Sequence, residues 1–420
     1  MLVTALGGAA LLMLLVGRWD RPWWSRSVPL VVLGAAAGVG IAVLAVSMAR
    51  PFPDRLPAVV WGSLGCALAA VGLCAAQSWR VRWRRRALVC LAAVCVIVAA
   101  GNQVNGYFGE FPTLRSALGL RQTDQIDFAE VSPPRPTLIS RSPGRPLSLV
   151  WRAPPGMPRS GAVSEVRIPA PVSGFHPRSG WVYLPPAYLS VPRARLPVLV
   201  LLGGQPGSAR DWLDGGRLAV MMDRFAAAHS GLAPVVVMPD MLGGMLANPL
   251  CMDSRLGNAQ TYLSVDVPAW IRATLQIEPE PSGWAVAGFS GGGTCALQLA
   301  VNTPTVYPTF LDISGQAEPT FGDRAHTIAA TFGGNTAAFA AVNPLDVLAR
   351  RRYPSTAGTI VVGRDDAMYR PQAQLVDRTA RHAGMRIEYR ELAGAHNWRV
   401  WAPGLETSLP WLAARLHLTP

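Results

Sequence analysis

Four apolar runs without a single charged residue fill the first quarter of the chain, at 2–17, 29–48, 57–76 and 87–104. A helix needs about 20 apolar residues to cross about 30 Å of hydrocarbon. The second and third runs have that length, the fourth is slightly short and the first is marginal. The first also has the length of a signal-peptide core. It lacks a basic start, however, and further apolar runs follow it. Residues 1–105 are therefore expected to form an all-α transmembrane module of four helices.

Charge supports that reading over a nucleic-acid one. The net charge is +13, and lysine is absent. Residues 1–105 carry ten arginines against Asp20 and Asp54, so +8 of the total lies in the most apolar part of the chain. Arg18, Arg21 and Arg26 lie between the first two runs. Arg80, Arg82, Arg84, Arg85 and Arg86 lie between the last two, whereas only Arg50 and Arg55 separate the second from the third. The positive-inside rule puts the two arginine-rich segments in the cytoplasm. The N-terminus and everything after Val104 are then expected outside it, in a multi-pass protein of the plasma membrane. The runs hold no ionisable acid or base of the kind a transporter needs, which favours an anchor. Gly34 and Gly38 form a small-xxx-small spacing suited to close helix packing. Cys66, Cys74, Cys90 and Cys95 lie within the runs and Cys251 and Cys295 in the exported part. The latter two are expected to form a disulfide or to remain two buried thiols. The six histidines are scattered, so no metal site is expected, and neither is a cofactor.

Residues 106–146 are rich in proline, arginine and serine, as in Ser132-Pro133-Pro134-Arg135-Pro136. Such a segment sustains neither a helix nor a central strand and is expected to be a surface-hugging connector. From 147 to 420 short apolar segments alternate with helical ones. Strands are expected at 148–152, 163–168, 180–184, 197–202, 234–238, 284–288, 308–313, 359–363 and 387–391. Helices are expected at 218–228, 262–275, 292–302, 337–342, 371–383 and 405–416. This alternation predicts an α/β domain with a mostly parallel sheet and helices on both faces.

The chemistry starts at Gly288-Phe289-Ser290-Gly291-Gly292, a G-x-S-x-G between a predicted strand and a predicted helix. That context is what a nucleophile elbow requires, with small residues flanking a very sharp turn. A serine hydroxyl needs a base. His396, in Gly394-Ala395-His396-Asn397-Trp398, follows the last predicted strand; His382 and His417 are the other late histidines. The acid is expected after the preceding strand, in Gly363-Arg364-Asp365-Asp366. The G-x-x-D spacing selects Asp366, with Asp365 the alternative and Asp312 a third candidate. The oxyanion hole needs two backbone donors, expected from Gln205 in the loop Gly203-Gly204-Gln205-Pro206-Gly207 and from Gly291.

Residues from about 160 to 416 resemble the esterase family of α/β-hydrolases that includes esterase D-like enzymes, feruloyl esterases, enterochelin esterase and mycolyltransferases. The resemblance is carried by Trp181-Val182-Tyr183-Leu184-Pro185-Pro186, Val237-Met238-Pro239-Asp240, Thr261-Tyr262-Leu263 and Asp266-Val267-Pro268-Ala269-Trp270-Ile271. The Ser290 elbow and the segment from Gly394 to Trp401 complete it. It implies the α/β-hydrolase fold, with Ser290 as nucleophile, Asp366 as acid and His396 as base. Two positions depart from relatives: Gly203-Gly204 stands where many have His-Gly, and the acid is aspartate where mycolyltransferases use glutamate. The expected function is a membrane-anchored, extracytoplasmic serine esterase or acyltransferase acting on a lipid or envelope ester. Its expected partners are the bilayer and that ester, with no nucleic acid. A non-catalytic envelope-binding or scaffold protein on the same fold is the alternative.

Overall fold

The computed structural model describes residues 2–17, 20–49, 56–78, 81–118, 120, 125–131 and 134–420. Arg18, Arg50, Arg55 and Arg80 of the arginine pattern, Asp54, and Ser132 and Pro133 of the connector lie outside the described residues. The chain divides into two compact units, residues 1–109 and 110–420.

The first unit contains four apolar helices: α1 (Leu2–Val16), α2 (Val28–Ala49), α3 (Ala58–Ser78) and α4 (Trp83–Phe108). Among the described residues three helical stretches are long and apolar enough to cross a membrane: Trp23–Ala49, Ala58–Ser78 and Trp83–Phe108. The first helix has 15 residues and falls short of that length. The fourth run, short by its charge-free residues, gains length because the helix begins with Arg84, Arg85 and Arg86 and continues past Asn102 and Asn105. Small residues set the closest approaches. A β-carbon on Gly7 would lie 2.2 Å from Cβ of Ala99, and one on Gly38 would lie 2.9 Å from Leu68. Gly34 faces open space, so only Gly38 of the expected pair packs closely. No residue of α2 is buried, and Leu30, Leu33, Ile41 and Met48 are all more than 60% exposed. Cys66, Cys74, Cys90 and Cys95 are free thiols.

The second unit is built on an eight-stranded sheet. Its strands are β1 (Ala162–Val166), β2 (Gly180–Leu184), β3 (Val198–Leu202), β4 (Val235–Met238), β5 (Trp284–Phe289), β6 (Thr309–Ile313), β7 (Ala357–Gly363) and β8 (Arg386–Leu392). They lie in the order β8-β7-β6-β5-β3-β4-β2-β1. β2 pairs antiparallel with both β1 and β4, and every other pairing is parallel. The central strands are buried on both faces, which explains their unbroken apolar character. Val198, Val200 and Leu202 feed one core while Leu199 and Leu201 feed the other. The first core is covered by helices α6 (Val267–Thr274), α7 (Gly291–Asn302) and α11 (Tyr369–His382). The second is covered by α5 (Leu218–Ala228) and α12 (Trp398–Arg415). Each fully buried Val or Leu contributes about 1.5–3 kcal/mol relative to an exposed one.

Between β6 and β7 lie three helices, α8 (Arg324–Phe332), α9 (Thr336–Val342) and α10 (Pro344–Leu348). Of these only α9 is expected from the sequence. The expected strand at 148–152 does not form. Leu147–Leu149 is a 3-10 turn, and Trp151 is apolar because its ring is buried, with Nε1–H donating to the Ser230 carbonyl at 2.9 Å. α12 begins at Trp398 rather than at 405. Pro403 and Pro410 lie inside it, but Trp398, Trp401, Leu405, Leu409 and Leu412 bury one continuous face. That burial outweighs the helix-breaking cost of about 3 kcal/mol that proline carries in a helix interior. Residues 138–141 of the connector lie along the second unit: Leu138–Ile139 pairs with Arg193–Ala194, and Arg141 bonds Glu278 at 3.2 Å. The connector's first residues, 106–108, are instead the end of α4.

Candidate active site

Ser290 occupies the turn between β5 and α7 with φ 53 and ψ −123, a backbone conformation that side-chain-bearing residues rarely adopt. Such strain costs about 1–3 kcal/mol and persists only where the surroundings enforce it. Glycines do so here. A β-carbon on Gly292 would lie 2.3 Å from the Gly203 carbonyl oxygen, and one on Gly288 would lie 2.4 Å from Gly292. The Ser290 N–H donates to the Ile313 carbonyl at 2.8 Å, tying the turn to the end of β6.

His396 and Asp366 meet Ser290 from the loops after β8 and β7. The Ser290 Oγ lies 3.0 Å from His396 Nε2, and His396 Nδ1 lies 3.0 Å from Asp366 Oδ2. Asp366 is 4% exposed, and its other oxygen accepts the Tyr369 N–H at 3.0 Å. The two loops are stitched together by backbone. The Asp365 N–H donates to the Gly394 carbonyl at 2.9 Å, and the Gly394 N–H donates to the Asp365 carboxylate at 3.2 Å. Asp365 therefore braces the turn that carries His396, while Asp366 faces the imidazole.

Two rings to which the sequence assigned no role fix that imidazole. The Tyr369 ring stacks on it with centroids 3.9 Å apart, and Trp401 meets it edge-on at 5.1 Å. Tyr369 lies 27 residues before His396 in the chain, so no local pattern announces the contact. His382 is exposed on the last turn of α11, and His417 lies in the turn after α12.

Asp312, the third acid candidate, lies elsewhere. It is buried at the C-terminal end of β6, where its Oδ1 accepts the Gly315 N–H at 2.8 Å. Burial pushes its carboxyl up to about 7. It braces the loop beneath the elbow rather than the imidazole.

The loop after β3 passes beside the serine. A β-carbon on Gly291 would lie 3.5 Å from the Gln205 amide nitrogen, so the two expected oxyanion donors border one space. That loop is braced on three sides. Asp211 accepts the Ser208 N–H at 2.8 Å and Trp212 Nε1–H donates to the Leu202 carbonyl at 2.8 Å. Arg178 bridges Asp240 at 2.7 Å and the Gly207 carbonyl at 2.8 Å. Cys251 and Cys295 are joined in a disulfide, with Cα atoms 5.4 Å apart. It ties the start of α7 to the segment before α6. Among the described residues no group of three or more His, Cys, Asp or Glu side chains is placed to hold a metal.

Comparison with known proteins bears on the family and the fold. Residues 176–412 match the family model described as "Putative esterase". An uncharacterized protein of Corynebacterium glutamicum is 32% identical over 403 residues, covering 94% of this chain and 90% of its own length. That match reaches well beyond 176–412 and takes in most of the apolar first unit. Among solved structures, a ferulic acid esterase is similar at 18% identity, with a TM-score of 0.53 over 61% of this chain and 98% of its own. An S-formylglutathione hydrolase from Agrobacterium tumefaciens is similar at 18% identity, with a TM-score of 0.52 over 62% of this chain and 97% of its own. These likenesses show the α/β-hydrolase fold.

Proposed function

Starting from the fact that this chain belongs to the Esterase family, we propose that it is a membrane-anchored serine esterase or acyltransferase whose catalytic residues are Ser290, His396 and Asp366. The observation that carries the reading is the continuous line of contacts from Ser290 Oγ through the imidazole to Asp366, at 3.0 Å each, on a strained elbow.

The steps follow from the geometry. His396 Nε2 takes the hydroxyl proton as Ser290 Oγ attacks the ester carbonyl carbon. Asp366, at Nδ1, holds the imidazole in the required tautomer and stabilises its protonated form. The carbonyl oxygen gains negative charge beside the Gln205 and Gly291 N–H groups, the second at the N-terminus of α7. Each such donor contributes about 3 kcal/mol to the transition state. The imidazolium returns its proton to the leaving alkoxide, giving an acyl-serine and a free alcohol. Water or an acceptor alcohol then adds to the acyl carbon as His396 takes its proton, and the imidazolium returns that proton to Ser290 Oγ as the Oγ–acyl bond breaks.

Three helical stretches long enough to span, together with the shorter α1, are read as a four-helix anchor in the plasma membrane. The largely exposed apolar surface of α2 supports a lipid environment, since soluble proteins rarely expose such patches. The arginine pattern supports a second unit outside the cytoplasm. The Cys251–Cys295 disulfide supports that side, because such bonds persist in oxidising compartments. An enzyme held there meets lipid and cell-envelope esters, which are the proposed substrates.

Covalent labelling by a fluorophosphonate probe tests the reading. The purified full chain is expected to be labelled, and Ser290→Ala is expected to abolish labelling. A folded wild-type protein that takes up no label would instead favour the non-catalytic scaffold.

A further inference from the structure

Glu110 is the first residue after Gly109, the left-handed cap that ends α4. It lies outside the segment that matches the family model, yet its carboxylate accepts a hydrogen bond from Trp398 Nε1–H at 2.6 Å, across 288 residues of sequence. Trp398 is 4% exposed and opens α12 two residues after His396. Its ring rests on Gly215 and Gly216, where β-carbons would lie 2.4 and 2.9 Å away, so no side chain there can displace it. It meets Trp401 edge-on at 5.3 Å and Phe289, the residue before Ser290, at 4.7 Å. Phe289 and Trp401 stack at 4.4 Å, and Trp401 supports the imidazole of His396. The indole N–H of Trp398 is buried and must find an acceptor or forfeit about 1–3 kcal/mol. Glu110 supplies it.

We propose that Glu110 is a positioning residue for the candidate active site, fixing Trp398 and, through the Trp398–Phe289–Trp401 cluster, the edge on which the His396 imidazole rests. The inference rests on the catalytic reading of Ser290, His396 and Asp366.

The charged groups around Glu110 give the proposal a pH signature. Asp211 and Asp214 face it, Asp214 is paired with Arg210 at 2.8 Å, and Arg178 acts on Asp211. Burial, reinforced by Asp211, pushes the Glu110 carboxyl up to about 8. Below that pH it is a neutral acid whose oxygen accepts from Trp398. Above it, the charge that appears is repelled by two aspartates and held by the Trp398 N–H, which bonds the ionised form more strongly, so the setting of the contact changes.

Steady-state hydrolysis of p-nitrophenyl butyrate by the full chain in detergent micelles, followed across pH, tests this alongside hydrogen exchange of residues 394–401. Glu110→Ala is expected to lower kcat about tenfold, as small misplacements of a catalytic group do, with KM within about twofold of wild type. Exchange in residues 394–401 should quicken. Glu110→Gln keeps an acceptor and should restore both kcat and protection. It should also lack the alkaline step near about 8 that is expected of the wild type. A folded Glu110→Ala protein with unchanged kcat and exchange overturns the proposal, as does a Glu110→Gln protein as impaired as Glu110→Ala. If the wild type hydrolyses no ester, the catalytic reading fails and exchange alone decides. Faster exchange in Glu110→Ala then upholds the anchoring of the His396 loop, and unchanged exchange overturns it.

Discussion

The two sides of the candidate site are held by different physics. On the Ser290 side, backbone meets backbone: Gly292 passes so close to the carbonyls of Leu202 and Gly203 that only hydrogen fits, and the turn has one available shape. On the His396 side, the backbone loops leave the imidazole to be fixed by side chains. Asp366 holds Nδ1, Tyr369 and Trp401 hold the ring's face and edge, and Glu110 holds Trp398 behind them. The serine is placed by local steric exclusion. The base is placed by packing between segments far apart in the chain, and is the side more open to perturbation.

That contrast can be broken at several points. The largest effect is expected from Asp366→Asn, which presents the wrong hydrogen-bonding partner to Nδ1 and should cut kcat about 10⁴-fold in ester-hydrolysis kinetics. Retention of most activity would remove Asp366 from the reaction. Gly292→Ala attacks the other side. With a β-carbon 2.3 Å from a backbone oxygen, the elbow must open, so both labelling of Ser290 and stability should suffer. A loss of about 1–3 kcal/mol in denaturant unfolding is expected, as for an overpacked core. Wild-type labelling and stability would show the elbow to be pliable.

A smaller effect lies beneath the elbow. Burial raises the Asp312 carboxyl from 3.8 to about 7, so the native state keeps a proton that the unfolded chain has lost. Stability should therefore fall as pH rises between about 4 and about 7. Asp312→Asn preserves the acceptor for Gly315 and should flatten that slope in thermal unfolding scans. An unchanged slope would contradict the account. Least is expected of Asp365→Asn, since the amide oxygen still accepts the Gly394 N–H: kcat within about twofold of wild type, as for most surface substitutions. A loss rivalling that of Asp366→Asn would exchange the roles of the two acids.

The same contrast decides what could be read from the sequence. The elbow announces itself because its steric demands fall within five consecutive residues, and strands β2 to β7 announce themselves as largely apolar runs between turn residues. His396 could be placed by its position after the last strand. The supports of His396 could not. Tyr369 appears as one more residue of a helix, and Glu110 as a lone acid after an apolar run. Their partners are fixed only when β7, β8 and α12 come together. The first turns of α12 are hidden in the sequence by Pro403, whose local penalty is outweighed by a buried aromatic face that no short window reveals. The strand expected at 148–152 failed for the complementary reason: Trp151 is apolar because it fills a core, not because it joins a sheet.

The proposed chemistry requires that Ser290 be a nucleophile activated by His396. The most direct measurement is mass spectrometry of the full chain quenched during turnover of a p-nitrophenyl ester. The expected result is an added acyl mass on the peptide carrying Ser290, absent from both Ser290→Ala and His396→Ala. Steady ester turnover that Ser290→Ala leaves intact, with no acyl mass on that peptide in the wild type, would contradict it.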